Sequence, residues 1–188
     1  MGRYKYRRED VLSFEEFRRM VEEANSKKLK ALIVFLYYSG RRLKEALLLR
    51  KKDVTLSREN ELIFRIPVLK RREKGPIRSF NRIFLPLNYP YMGLLKEWID
   101  GIESETERIF YFSDNLESAR VIVWREIKKL NPNCSPHLFR HTRATILARK
   151  GFTDFELRGW LGWADSRMAA RYTVLSEAIV KRIAKNLI

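Results

Sequence analysis

Apolar residues first recur at helical spacing just past residue 12, where Phe14, Phe17, Met20 and Val21 follow Ser13. Glu16, three residues after that serine, completes a capping box and marks the start of a helix. "LKALIVFLYY" (29–38) is apolar on most sides, which predicts a buried helix broken by Gly40. A third helix is expected from about Arg41 through "LKEALLL". Strand-like runs follow at 62–68 and 82–87, joined by a basic hairpin, and Pro67 predicts that the first is an edge strand or bulged. Helical patterns return near 92–101 and 115–130, with a short "IFYF" segment between them. Ser135 and Pro136 read as an N-cap and first helical residue, opening a helix that runs to about Lys150 and ends at Gly151. "TDFE" (153–156) is a second capping box, for a helix closing at Gly162. Asp165 or Ser166 caps a helix carrying Tyr172, and an amphipathic helix spans roughly 176–187. The fold class is therefore mainly α with a small antiparallel β-sheet, in one domain over 1–188.

Composition changes this picture in one respect. The 39 Lys and Arg outweigh 23 Asp and Glu, a formal net charge of +16 with the basic residues spread along the whole chain. Such an excess fits a polyanion, with nucleic acid the leading partner. No segment concentrates the charge as a membrane-surface helix would, and no apolar run approaches the ~18 residues of a membrane span. Cys134 is the only cysteine, which excludes an intramolecular disulfide and suits a reducing, cytoplasmic or nucleoid-associated location. The absence of glutamine beside abundant Lys, Arg and Glu points to a heat-adapted source.

Both histidines of the chain fall in "HLFRH" (137–141), with an arginine between them. His137, Arg140 and His141 stand at i, i+3 and i+4, on one face near the positive end of the predicted helix. That face suits a phosphate or carboxylate; a solvated charged face with one packed histidine is the plainer reading. Two histidines at i, i+4 can also ligate a metal, but Arg140 lies between them and no Cys or carboxylate partner accompanies them.

Three other stretches give the pentapeptide a context: "SGRRLKEALLL" (39–49), the Lys-rich hairpin around Lys70, and "LGWADSRMAARYT" (161–173). In this order the set resembles the catalytic domain of the tyrosine recombinases, the phage-integrase family, of archaeal or phage type. The family's first catalytic arginine, two residues after a glycine and three before a glutamate, falls on Arg42, between Gly40 and Glu45. Its His-x-x-Arg-His box falls on His137, Arg140 and His141, and its Leu-Gly-(His or Trp) on Leu161, Gly162 and Trp163. The nucleophilic tyrosine, nine residues after that third position, is Tyr172. Trp163 stands where histidine is commoner, and the hairpin is more basic than in short members.

The resemblance implies a DNA-cleaving and rejoining enzyme that needs neither metal nor cofactor. Double-stranded DNA is its partner, and a homo-tetramer on paired sites its working assembly. It implies catalytic roles for Arg42, Lys70, His137, Arg140, Trp163 and Tyr172, with Glu45 and His141 in support. Lys70 is expected at a strand end and Lys74 at the hairpin tip, which favours Lys70 as general acid. Family members usually carry a further N-terminal helical domain, and this chain begins almost at the first catalytic helix. The segment after the tyrosine docks on a neighbouring subunit in related recombinases, whereas packing on its own domain is the plainer reading here. Two other classes compete: a topoisomerase using the same tyrosine chemistry without site preference, and a non-catalytic basic DNA-binding module. RNA binding is more distant, since no known stacking motif is present.

Overall fold

The computed structural model describes residues 10–69 and 80–163, together with Arg167 and Tyr172. Among them the chain forms α1 (Phe14–Glu23), α2 (Lys27–Ser39), α3 (Leu43–Leu47), a 3-10 turn (Lys51–Asp53), β1 (Val54–Leu56), β2 (Glu61–Pro67), β3 (Phe80–Pro86), α4 (Met92–Asp100), α5 (Leu116–Leu130), α6 (Pro136–Arg149) and α7 (Asp154–Leu161). The helices sit on one face of a three-stranded antiparallel sheet ordered β1-β2-β3, the mainly helical architecture with a small sheet that the hydrophobic pattern predicts.

Local chemistry accounts for most of the boundaries. Ser13 accepts from the Glu16 backbone N–H at 3.1 Å while the Glu16 carboxylate accepts from the Ser13 N–H at 2.9 Å, and Thr153 and Glu156 repeat the arrangement at α7. α2 is buried on all sides from Ala31 to Ser39, so packing rather than amphipathicity stabilises it. Phe17 stacks on Tyr37 at 3.9 Å, and Phe35 meets Phe64 of the sheet at 4.9 Å. Phe14, expected on the same buried stripe as Phe17, is exposed. Cys134 lies in the core, where burial pushes its thiol up to about 12 and keeps it protonated. No helix among the described residues is long and apolar enough to cross a membrane.

Two expectations are corrected. β2 is the central strand, not an edge, because β1 pairs with it through Val54–Phe64, Thr55–Ile63 and Leu56–Leu62. Pro67 is tolerated because β1 stops three residues short of it, so the proline removes no hydrogen bond on that side. The third helix starts at Leu43 rather than Arg41, with Arg42 as its N-cap. The helix carrying Tyr172 and that expected at 176–187 lie outside the described residues, as does the basic segment with Lys70 and Lys74.

Candidate active site

Four helix ends meet at one place. α2 and α7 each finish on a glycine in the left-handed region, Gly40 (φ +64°) and Gly162 (φ +65°), which turns the chain out and leaves their last carbonyls facing inward. α3 and α6 begin nearby, with Arg42 and His137 in their opening turns. Gly40 admits no side chain, since a Cβ would lie 2.8 Å from the Arg143 Cβ and 2.9 Å from the Leu161 Cδ2. The close approach of α2, α6 and α7 depends on that missing atom.

Arg140 fills the junction. Its Nη1 donates to the Gly40 carbonyl at 3.0 Å and its Nη2 to the Leu161 carbonyl at 2.8 Å. A buried guanidinium is thus held between the C-terminal, partially negative ends of two helices. These bonds occupy two of its five N–H donors and fix the plane of the fork. The Arg140 Cζ lies 5.3 Å from the centre of the Trp163 ring.

Arg42 is set differently. Its side chain is 39% exposed, and its Nη1 donates at 2.9 Å to Glu45, whose own side chain is only 2% exposed. The other Glu45 oxygen accepts from the Arg42 backbone N–H at 3.0 Å. One buried carboxylate therefore fixes both the start of α3 and the direction of the guanidinium. The adjacent Arg41 points inward and is fully buried, with Nε and Nη2 lacking hydrogen-bond partners among the described residues. Burial, the largest cause, and the nearby Arg42 bring its pKa down to about 10 against the pull of Glu45. Of the two neighbouring arginines, Arg42 is the one an external anion can reach.

His137 is exposed at the rim of the junction. Desolvation by the surrounding protein and the charges of Arg140, Arg42 and Arg120 hold its pKa below the ordinary imidazole value. The ring is neutral at neutral pH, with one N–H to donate. His141, one turn further along α6, is buried, and its Nδ1 lies 3.0 Å from the Tyr172 hydroxyl. The Tyr172 ring stacks on Trp163 with centroids 5.3 Å apart and 17° between planes. The Trp163 Nε1 is buried with no hydrogen-bond partner among the described residues, a donor open to an external acceptor.

The structure thus brings together Arg42, Glu45, His137, Arg140, His141, Trp163 and Tyr172, all from one chain. Lys70 lies outside the described residues; the last described strand before it, β2, is Glu61–Pro67. Sequence reasoning missed the inward burial of Arg41 and the role of Arg140 as a brace between helix ends. No local signal announces either.

The profile of the phage integrase family matches residues 10–178. A tyrosine recombinase of Thermosipho africanus is 30% identical over 173 residues, covering 87% of this chain and 56% of its relative. The fold matches that of XerH site-specific recombinase bound to its difH substrate in a pre-cleavage complex (TM-score 0.66, 20% identity, 97% of this chain and 56% of that one). It also matches the catalytic domain of bacteriophage HP1 integrase (TM-score 0.55, 18% identity, 93% of each chain). The chain spans little more than half the length of the curated relatives it matches.

Proposed function

The chain belongs to the phage integrase family, and we propose that it is a catalytic domain that cuts and rejoins duplex DNA at specific sites through a 3′-phosphotyrosyl link at Tyr172. The observation that carries this reading is the contact of the Tyr172 hydroxyl with His141 at 3.0 Å, beside Trp163 and the braced Arg140. The match in extent to an integrase catalytic domain supports the domain reading, and the recombinase–DNA complexes of the same fold support duplex DNA as partner.

The Tyr172 oxygen attacks phosphorus, the bond to the 5′ oxygen breaks, and the non-bridging oxygens gain charge in the five-coordinate state. Arg42 and Arg140 stabilise that charge with forked N–H donors, the role a metal plays elsewhere. His137 and the unpartnered Trp163 Nε1 donate to the same phosphate. A tyrosine near pKa 10 is a poor nucleophile at neutral pH, and His141 accepts or orients its proton. Lys70 protonates the departing 5′ oxygen. The phosphotyrosyl bond conserves the energy of the one it replaces, so a second 5′ hydroxyl reverses the attack without ATP. Pairing of sites in a homo-tetramer, in a cytoplasmic setting, completes the proposal.

Incubation with nicked suicide duplexes followed by denaturing electrophoresis tests it. A covalent adduct on duplexes containing a preferred site is expected. Equal cleavage of random DNA would instead indicate a relaxing topoisomerase, and no adduct at all a binding module.

Lys70→Ala is expected to slow cleavage by roughly two decades or more on ordinary DNA. A sulfur at the bridging 5′ position leaves without protonation, so cleavage of that substrate is expected to be largely restored in Lys70→Ala and much less so in Arg140→Ala. If Lys74→Ala is the rescued variant and Lys70→Ala cuts normally, the acid is Lys74.

A further inference from the structure

The sheet turns Leu62, Phe64, Ile66, Ile83 and Leu85 into the core and presents Ile63, Arg65, Arg82 and Phe84 on its other side. In the observed register Arg65 of β2 stands directly opposite Arg82 of β3, and both are exposed. Like charges so placed, with Cβ atoms about 5 Å apart, destabilise a sheet. A carboxylate at either position would have removed the repulsion. Among the described residues, neither arginine has an ion-pair partner, nor does the nearby Lys52.

The surroundings are equally one-sided. Arg50, Lys52, Arg65 and Phe80 bound a groove of 290 Å³ whose one acid among the described residues, Asp53, accepts from the Arg50 backbone N–H at 3.0 Å. Phe84 is 45% and Phe80 38% exposed. The Arg65 guanidinium lies 4.0 Å from the centre of the Phe80 ring, so that ring face is taken and holds the charge in place rather than offering a platform to a base. This end of the sheet also abuts the helix junction. Asn81, one residue before Arg82, donates to the Gly159 carbonyl at 3.4 Å, and its Nδ2 lies 3.2 Å from where a Cβ on Gly162 would stand.

We propose that the outer face of the sheet, through Arg65, Arg82 and Lys52, is a second docking surface for the phosphate backbone of duplex DNA, on the side of the strands opposite the Asn81 contact with the junction and taking no part in the chemistry. The proposal rests on the reading of the chain as a DNA-acting recombinase. A sugar-phosphate chain fits because it supplies the missing negative charge without needing an open ring face. The sheet thus trades intrinsic stability for affinity.

That trade gives the test its signature. Arg82→Glu places a carboxylate opposite Arg65, so its melting temperature without DNA is expected to rise above that of wild type. Its affinity for duplex DNA at physiological salt is expected to fall by an order of magnitude or more. The double variant Arg65→Ala/Arg82→Ala is expected to flatten the plot of log affinity against log salt by about 2, roughly 0.9 per lost phosphate contact. Adduct yield on saturating suicide duplex is expected to stay at the wild-type level in both. An unchanged salt slope overturns the proposal while leaving the recombinase reading intact. So does a loss of affinity confined to single-stranded DNA of the same length. Failure of the wild-type chain both to bind duplex DNA and to form adduct overturns the two together.

Discussion

Tyr172→Phe is expected to abolish the covalent protein–DNA adduct while leaving affinity for duplex DNA within a few-fold of wild type. The substitution removes one oxygen, the atom whose contact with His141 places it in the junction. It leaves the ring that stacks on Trp163, so the packing that buries Tyr172 has no reason to change. DNA affinity, by contrast, is expected on the proposed reading to come from many phosphate contacts spread over a chain of net charge +16, so the loss of one hydroxyl should cost little of it. Adduct formation on suicide duplexes and binding by gel shift therefore separate cleanly. A persisting adduct would remove Tyr172 as nucleophile, and a large loss of affinity would show that its hydroxyl organises the surface instead. His141→Ala is the companion measurement: it keeps the nucleophile but loses its buried partner, and a slower adduct of the same mobility is expected.

Where a structural decision is made within a few neighbouring residues, the chain states it openly. Ser13 with Glu16, Thr153 with Glu156, Ser135 followed by Pro136, and the glycines at 40 and 162 each act over one helical turn, and each appears where the pattern places it. The order and spacing of the four motifs likewise place most of the candidate site, since a fold that must converge several side chains constrains their separations. Decisions made by distant partners are not visible in this way. β1 is three residues long, too short for alternation to register, and it exists because β2 offers it a ladder. That pairing made β2 central and overrode the edge-strand signal of Pro67. Arg41 and Arg42 are chemically alike in sequence; only the seating of Arg41 against Gly162, 121 residues away, turns one inward and leaves the other for an anion. The Arg65–Arg82 opposition is a matter of register, which no single strand encodes.

The two site arginines are expected to fail in different ways when truncated, and the difference is the sharpest consequence of the geometry. Arg42→Ala and Arg140→Ala should each slow cleavage by on the order of two decades or more, because in the proposed mechanism each removes a forked donor aimed at charge that develops in the transition state. Arg42 is half in solvent and its removal leaves Glu45 still bonded to the α3 backbone N–H, so a melting temperature within a few degrees of wild type is expected. Arg140 also braces the ends of α2 and α7. Its removal strands two buried carbonyls at roughly 1–3 kcal/mol each, with some relaxation. In a domain of this size that is a fall on the order of 5–10 °C. Arg140→Lys restores the charge but cannot span Gly40 and Leu161 with a single ammonium, so it is expected to recover part of the stability and little of the rate. Calorimetry alongside single-turnover cleavage reads both quantities. Equal melting temperatures for the two alanine variants would show that the brace is not what holds α2 and α7 together, and the junction would then owe its geometry to the glycine contacts at Gly40 alone.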